Sequence, residues 1–459
     1  MELKRTLSFF DATAIGIGAV IGAGIFVVLG VAVGYAGPAV VISMIIAGTV
    51  ALFTAISFAE LSSAIPKEGG TYQYAYEMIN PFVAFISGCM WLFAQTVAGS
   101  AVCLGLASYF VGLLPFLPAK IAVFSFPVST VNIVAVSAAL ALSALNLRGI
   151  KQSARLNNVL VVTKIVILCL FVVVGAFQVN TQNYSNFAPN GFFGILQGAG
   201  FIFFAYLGFG RIAALGEEVE NPKRTLPLSI LLALGVSMLL YIATGLVATG
   251  LVPYKILGIS SSPIATAAKA TGSYPLFVVV SFGGLVATVS VLLTNLLGLS
   301  RVSFTMARNG QLPKALARVH PKLGTPYISI LITGALMATL AFVSDLRQTA
   351  AITSFSMLVT HIILHASAIR LRKKNPDLET FKAPLFPLVP CLGLASCVIL
   401  MLSLPMESWI VSTIVMTAVA VLYLLRRSLQ ARHWKKGGEG CSDSSFSSTN
   451  QCNDRSACY

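Results

Sequence analysis

Long unbroken apolar runs constrain this chain more than any other feature. A helix needs about 20 apolar residues to cross the hydrocarbon core of a bilayer. Only a helix or a closed barrel keeps every backbone amide paired there. Runs between polar or Pro/Gly breaks fall near residues 9–34, 38–64, 82–113, 131–147, 156–177, 191–217, 227–251, 272–300, 327–343, 348–369, 384–404 and 407–425. They predict an all-α membrane protein with twelve transmembrane spans. Only 10% of the residues are charged, against roughly 25% in a soluble domain, so a water-facing surface could not be covered in the usual way.

The formal net charge of +15 suggests a nucleic-acid partner until its distribution is examined. With the N-terminus inside, 24 of the 30 basic residues fall in cytoplasmic segments. Only Lys120, Lys255, Lys269 and Arg347 fall outside, and Lys164 and Arg211 lie within spans. That asymmetry is the positive-inside pattern for a cell-membrane protein with both termini cytoplasmic. The basic excess therefore encodes topology, and no nucleic-acid partner is expected.

The first apolar run leads straight into a second span and lacks a cleavage site, so it is expected to stay as a signal anchor. Cys89, Cys103, Cys169, Cys391 and Cys397 lie in spans, and Cys441, Cys452 and Cys458 in the tail. All eight are expected to be unpaired thiols. Residues 1–8 form a cytoplasmic N-terminus, and residues 430–459, rich in Gly, Ser and Asn, form a disordered cytoplasmic tail. The outer loop 252–271 is long enough for a short amphipathic helix on the rim.

Glycines mark two of the spans. Span 1 carries Gly16, Gly18, Gly22 and Gly24 in GIGAVIGAGIF, and span 6 carries Gly208 and Gly210 in FFAYLGFGR. These open two five-span halves, 9–177 and 191–369. Gly-interrupted spans at corresponding positions point to a midplane binding site between inverted repeats. The alternative is that the small residues only let helices pack closely.

Five stretches in order resemble the amino acid–polyamine–organocation superfamily of amino acid permeases. They are GIGAVIGAGIF at 16–26, FAELSSAIPKEGGTYQY at 58–74, FFAYLGFG at 203–210, EEVENPKRTLP at 217–227 and RNGQLPKALARVHPKLGTP at 308–326. The resemblance covers nearly the whole membrane domain. It implies a 5+5 inverted repeat with spans 1 and 6 each broken into two half-helices, plus two peripheral helices at 384–425. It also implies a backbone-lined site. Amides at Gly22, Ala23 and Gly24 would meet a substrate carboxylate at a half-helix N-terminus. Carbonyls at Phe204, Ala205 and Leu207 would meet its α-ammonium group, and Phe204 would close over the substrate as a gate. The alternative for Phe204 is a packing or lipid-facing aromatic.

None of the fifteen acidic residues sits in mid-span. The ionisable residue that does is Lys164, in LVVTKIVILCLF. A lysine at that depth costs roughly 2.5–3.5 kcal/mol to insert, which makes it a functional candidate. Desolvation disfavours its charged form and would let it gain and lose a proton; the bland alternative is snorkelling to an interface. It matches the position where some proton-coupled members of the superfamily carry an amine in place of a sodium ion. The resemblance then places Gly18 and Ser290 against the ammonium, with Thr288 as a possible extra. The family's serine pair in span 8 appears here as Val289–Ser290, so half of a sodium-type site is missing, which favours a proton as coupling ion.

Trp91, Gln95 and Gly99 of span 3 occupy positions where substrate specificity would be set. His361 and His365 share one helix face in HIILH, but a metal site needs at least one more ligand and none is evident. Packing or hydrogen bonding is the expected role, and neither a metal nor a cofactor is expected. Arg211 either faces an inner vestibule or pairs with Glu217 or Glu218. Glu60, Asp11 and Glu218 are candidates for polar contacts closing the cytoplasmic side, against ordinary helix-end solvation. A membrane enzyme would need clustered His, Asp, Glu or Cys at bilayer depth, and a channel would favour pore-lining rings. The expected function is proton-coupled symport of an amino acid, tilted toward neutral substrates; the alternative is an exchanger in which Lys164 is a permanent structural cation.

Overall fold

The computed structural model describes residues 7–65, 67, 69–123, 126–148, 154–213, 219–321, 323, 325–376 and 380–439. Within these, almost every apolar run has become helix. Helix α1 is Phe9–Val20; after a break at Ile21–Ala23, a π turn at Gly24–Val28 leads into α2, Leu29–Ala36. Helices α3 (Val40–Ala64), α4 (Thr71–Met78) and α5 (Pro81–Gly112) follow. A hairpin, β1 (Lys120–Val123) and β2 (Phe126–Ser129), then leads to α6 (Thr130–Leu147) and α7 (Ala154–Ala176).

The second half begins with α8 (Gly191–Ile202), which tightens into a 3₁₀ turn at Phe203–Tyr206 before α9 (Gly210–Ala213). Then come α10 (Pro222–Leu251), α11 (Tyr254–Gly258), α12 (Pro263–Ala270), α13 (Tyr274–Arg308), α14 (Tyr327–Val343) and α15 (Leu346–Lys374). Helices α16 (Leu388–Ser403) and α17 (Met406–Glu439) end the described chain.

Local sequence sets these boundaries. Ser8 and Asp11 form a capping box at α1, and Asn80, Ser273 and Asp345 cap α5, α13 and α15 through their side chains. Proline occupies the first turn of α5, α10 and α13, where its missing N–H has no partner to lose. Gly37 ends α2 with φ +62, and a Cβ there would lie 2.4 Å from Pro189.

Among the described residues, eight helical segments are long and apolar enough to cross a membrane, and Gly191–Tyr206, Tyr327–Val343 and Leu388–Ser403 are shorter apolar helices. The first segment, Phe9–Ala64, runs 56 residues and contains the break after α1. Helix α10 packs on α1 and α3, and α5 on α13 and α15, while α16 and α17 pack on α15 and its neighbours. The short α4 lies in the segment between α3 and α5. The loop 252–271 forms two short helices rather than one, and Leu257, Ile264 and Ala268 bury their apolar faces instead of leaving them on the rim. The hairpin 120–129 is absent from the sequence reading.

Two of the acids expected to form closing polar contacts do tie helices together. Glu60, 2% exposed, accepts from Arg372 Nε at 2.6 Å and from the Ala383 amide at 3.2 Å, tying α3 to the end of α15 and the segment before α16. Asp11 accepts from Ser8 and from Asn158 Nδ2 at 2.9 Å, fastening α1 to α7. Glu217 and Glu218, the candidate partners of Arg211, lie outside the described residues, as do the tail cysteines 441, 452 and 458.

Candidate functional site

The two breaks meet. Ile21 leaves α1 in an extended conformation (ψ 91), so the amides that follow have no preceding turn to pair with. At the other break, residues 207–209 form a turn between the 3₁₀ segment and α9. The two backbones approach too closely for any side chain. A Cβ on Gly24 would lie 2.2 Å from the Ala205 Cα, and one on Gly208 would lie 2.1 Å from the Ala19 carbonyl carbon. The close-packing role and the helix-break role of these glycines are therefore compatible, because the breaks are where the packing is closest. Tyr241 of α10 stitches them together: its hydroxyl lies 2.7 Å from the Val20 carbonyl oxygen and 3.1 Å from that of Ala205.

A small cavity lies at this junction. Its walls include Gly22, Ala23 and Gly24 from one break, and Phe204, Ala205 and Leu207 from the other. Gln95 and Asn295 complete it from α5 and α13. All six residues expected to read the substrate's two charged groups thus surround one space. One carbonyl is already engaged, since Ala205 accepts from Tyr241. The ring of Phe204 is buried, at 8% exposed, against this cavity.

A second, larger cavity shares Gln95, Leu207 and Asn295 with the first. Phe209, Met357 and His361 line its wall, as do Gly70, Arg301 and Thr305 of the segments beyond α3 and at the end of α13. No Asp or Glu lines either cavity among the described residues.

Lys164 is buried, 1% exposed, and its Nζ donates to the Gly18 carbonyl and the Ser290 hydroxyl, each at 3.2 Å. The structure thus brings together the three residues singled out for ion coupling. At this depth it is not snorkelling. Thr288 takes a different part: its hydroxyl bonds back to Gly284 and Leu285 on its own helix. Gly99 also departs from expectation. It faces α14, where a Cβ would lie 2.4 Å from Met337 Cε, so it is a packing position and lines neither cavity. Trp91 and Gln95, on the same helix, line the larger cavity. His365 pairs with Ser57 at 2.9 Å, the hydrogen-bonding role foreseen for it.

Residues 7–425 match the model of the amino acid permease family. The chain is 38% identical to the methylthioribose transporter of Bacillus subtilis over 93% of its own length and 95% of that protein. It is 34% identical to the branched-chain amino acid permease BcaP of the same organism, covering 88% and 89% of the two chains. It is also 36% identical to Arabidopsis thaliana cationic amino acid transporter 9, over 70% of this chain and 58% of that one. The chain belongs to the amino acid permease family.

This permease is accordingly a transporter and not an enzyme. Two of the stretches that carry the family resemblance, GIGAVIGAGIF and FFAYLGFG, lie at the breaks. Tyr241, Asn295 and Met357 are the site residues that the sequence reading missed. Each sits in an apolar helix whose facing cannot be read without a partner, and the only available signal was a polar or polarizable residue deep inside an apolar run.

Proposed function

We propose that this permease takes up a neutral amino acid by alternating access, driven by a proton carried on Lys164. The observation that supports this most directly is the pairing of a charge-free, backbone-lined cavity with a buried lysine on the same broken helix. Amides after the α1 break and carbonyls around the α8 break supply opposite partial charges for a carboxylate and an ammonium group. Neither group needs a charged side chain as its partner. The relatives carry cargoes as different as methylthioribose, branched-chain and cationic amino acids. For this chain, the absence of acidic lining among the described residues favours an uncharged side chain over a cationic one.

Lys164 stabilises its cation through the Gly18 carbonyl and the Ser290 hydroxyl, both neutral. Gly18 lies just before the break in α1, so movement of that half-helix on substrate binding alters the lysine's partners and its proton affinity together. This linkage is the coupling.

Twelve crossings follow if Phe9–Ala64 counts twice and the three shorter helices are included. A 56-residue segment reaches about 84 Å at 1.5 Å per residue, against a core of about 30 Å. Residues 9–177 and 191–369 are then the two inverted repeats, and both termini are cytoplasmic at the cell membrane. On that topology the larger cavity opens to the cytoplasm, because Gly70, Arg301 and Thr305 lie at inner helix ends.

Ligand-induced thermal stabilisation of the purified permease tests the substrate class. Neutral amino acids are expected to raise the melting temperature, and lysine, arginine and glutamate to leave it unchanged. Stabilisation by the cationic pair alone would contradict the neutral-substrate reading.

A further inference from the structure

His361 stands apart from the other buried polar groups of the larger cavity. It is 3% exposed, and its Nδ1 is buried with no hydrogen-bond partner among the described residues. Its ring lies edge-on to Phe203, with centroids 5.6 Å apart, and is stacked at 25° on Phe209, 6.3 Å away. Those two phenylalanines flank the break between α8 and α9. His365, one turn on, makes the contrast: its ring nitrogens lie 2.9 Å from the Ser57 hydroxyl and 3.4 Å from that of Thr54. One histidine is built into the scaffold, and the other is held in place with a nitrogen unused.

Packing alone does not account for His361. A phenylalanine would fill the space between two aromatic rings without burying a polar atom, and an unpaired buried nitrogen costs free energy. The ring lines the cavity, so a bound group that draws Nδ1 to the cavity surface can complete it. Met357 lies four residues earlier on the same face of α15, and Gln95 Nε2 reaches its sulfur at 3.9 Å. Gln95, Met357 and His361 therefore form a continuous wall leading away from the cavity at the breaks, with Gln95 at the shared end.

We propose that His361 is a specificity-determining residue that takes a hydrogen bond from, or gives one to, the side chain of the carried amino acid. Its preferred ligands are neutral amino acids bearing a hydroxyl or carboxamide group. This rests on the amino-acid reading above and deepens it. With the carboxylate and ammonium group held at the breaks, the side chain points along the Gln95–Met357–His361 wall. A site built around hydrogen-bonding groups rejects an apolar isostere far more strongly than an apolar pocket rejects a polar one. The contact with Phe203 and Phe209 also makes the side chain's presence felt at the α8–α9 break.

The test uses near-isosteric pairs, asparagine against leucine and threonine against valine, with binding to the purified full-length permease followed by thermal stabilisation. The wild type is expected to bind the polar member of each pair more tightly. His361→Phe is expected to lower the polar-to-apolar affinity ratio about tenfold or more. His361→Gln, which keeps a donor and an acceptor, is expected to hold it within about threefold, and it carries the test if the phenylalanine variant does not fold. A wild type that binds the polar and apolar members equally, or a folded His361→Phe variant with an unchanged ratio, overturns the role of His361 alone. A wild type stabilised by none of the four overturns the amino-acid reading, and this inference with it.

Discussion

Replacing Lys164 by alanine is expected to abolish proton-driven accumulation while leaving exchange of internal for external substrate intact. A pH gradient of one unit stores about 1.4 kcal/mol per proton, enough for about tenfold accumulation at one proton per substrate. The wild type in proteoliposomes should approach that ratio, and Lys164→Ala should do no more than equilibrate. Lys164→Arg sharpens the result, because a guanidinium keeps its charge and cannot release a proton. If Lys164 carries the proton, arginine fails to accumulate substrate just as alanine does. If the lysine is only a structural cation, arginine supports whatever coupling the wild type has. Alanine variants that still accumulate substrate with the gradient would eliminate the proposed proton role.

Gly208→Ala is expected to have the second-largest effect, through geometry instead of charge. The added methyl would sit 2.1 Å from the Ala19 carbonyl carbon and 2.3 Å from the Val20 nitrogen. These are backbone atoms, so no rotamer relieves the clash, and one break must move from the other by more than about 1 Å to reach ordinary contact. Overpacking of this kind costs about 1–3 kcal/mol. A misplacement of about 1 Å in a binding constellation weakens function by as much as about a hundredfold. The control is Gly235→Ala on α10, where nothing lies within 4 Å of the new methyl and the substitution should be neutral or slightly stabilising. Melting temperature in detergent and the substrate-induced shift would be measured for both. Equal behaviour of the two variants would show that close contact at the breaks is not what the glycine supplies.

Much of this arrangement was legible before any coordinates. Apolar runs located the helices, because length and hydropathy are local properties. The glycines of GIGAVIGAGIF and YLGFG located the two breaks for the same reason. Lys164 was conspicuous as an amine in a run of aliphatic residues. What stayed hidden depends on helix facing. In a bundle whose helices are apolar all round, periodicity does not say which side turns inward. Gly99 and Gln95 are four residues apart on α5, yet Gln95 lines both cavities and Gly99 packs on Met337. Glu60 could not be matched to Arg372, because positions 312 apart in the chain meet only in the folded bundle. The same limit concealed Tyr241, and it left His361 and His365 looking equivalent although their surroundings differ. The hairpin at 120–129 was missed because its strands are short and lie between two stronger helical signals.

The most direct test of proton-driven uptake is proton movement itself. Proteoliposomes holding the wild-type permease and an internal pH-sensitive dye, with no initial pH difference and with the membrane potential clamped, would receive a neutral amino acid that binds. Coupled symport predicts internal acidification that follows substrate entry and is absent with Lys164→Ala. Entry of the amino acid with no change in internal pH would contradict it.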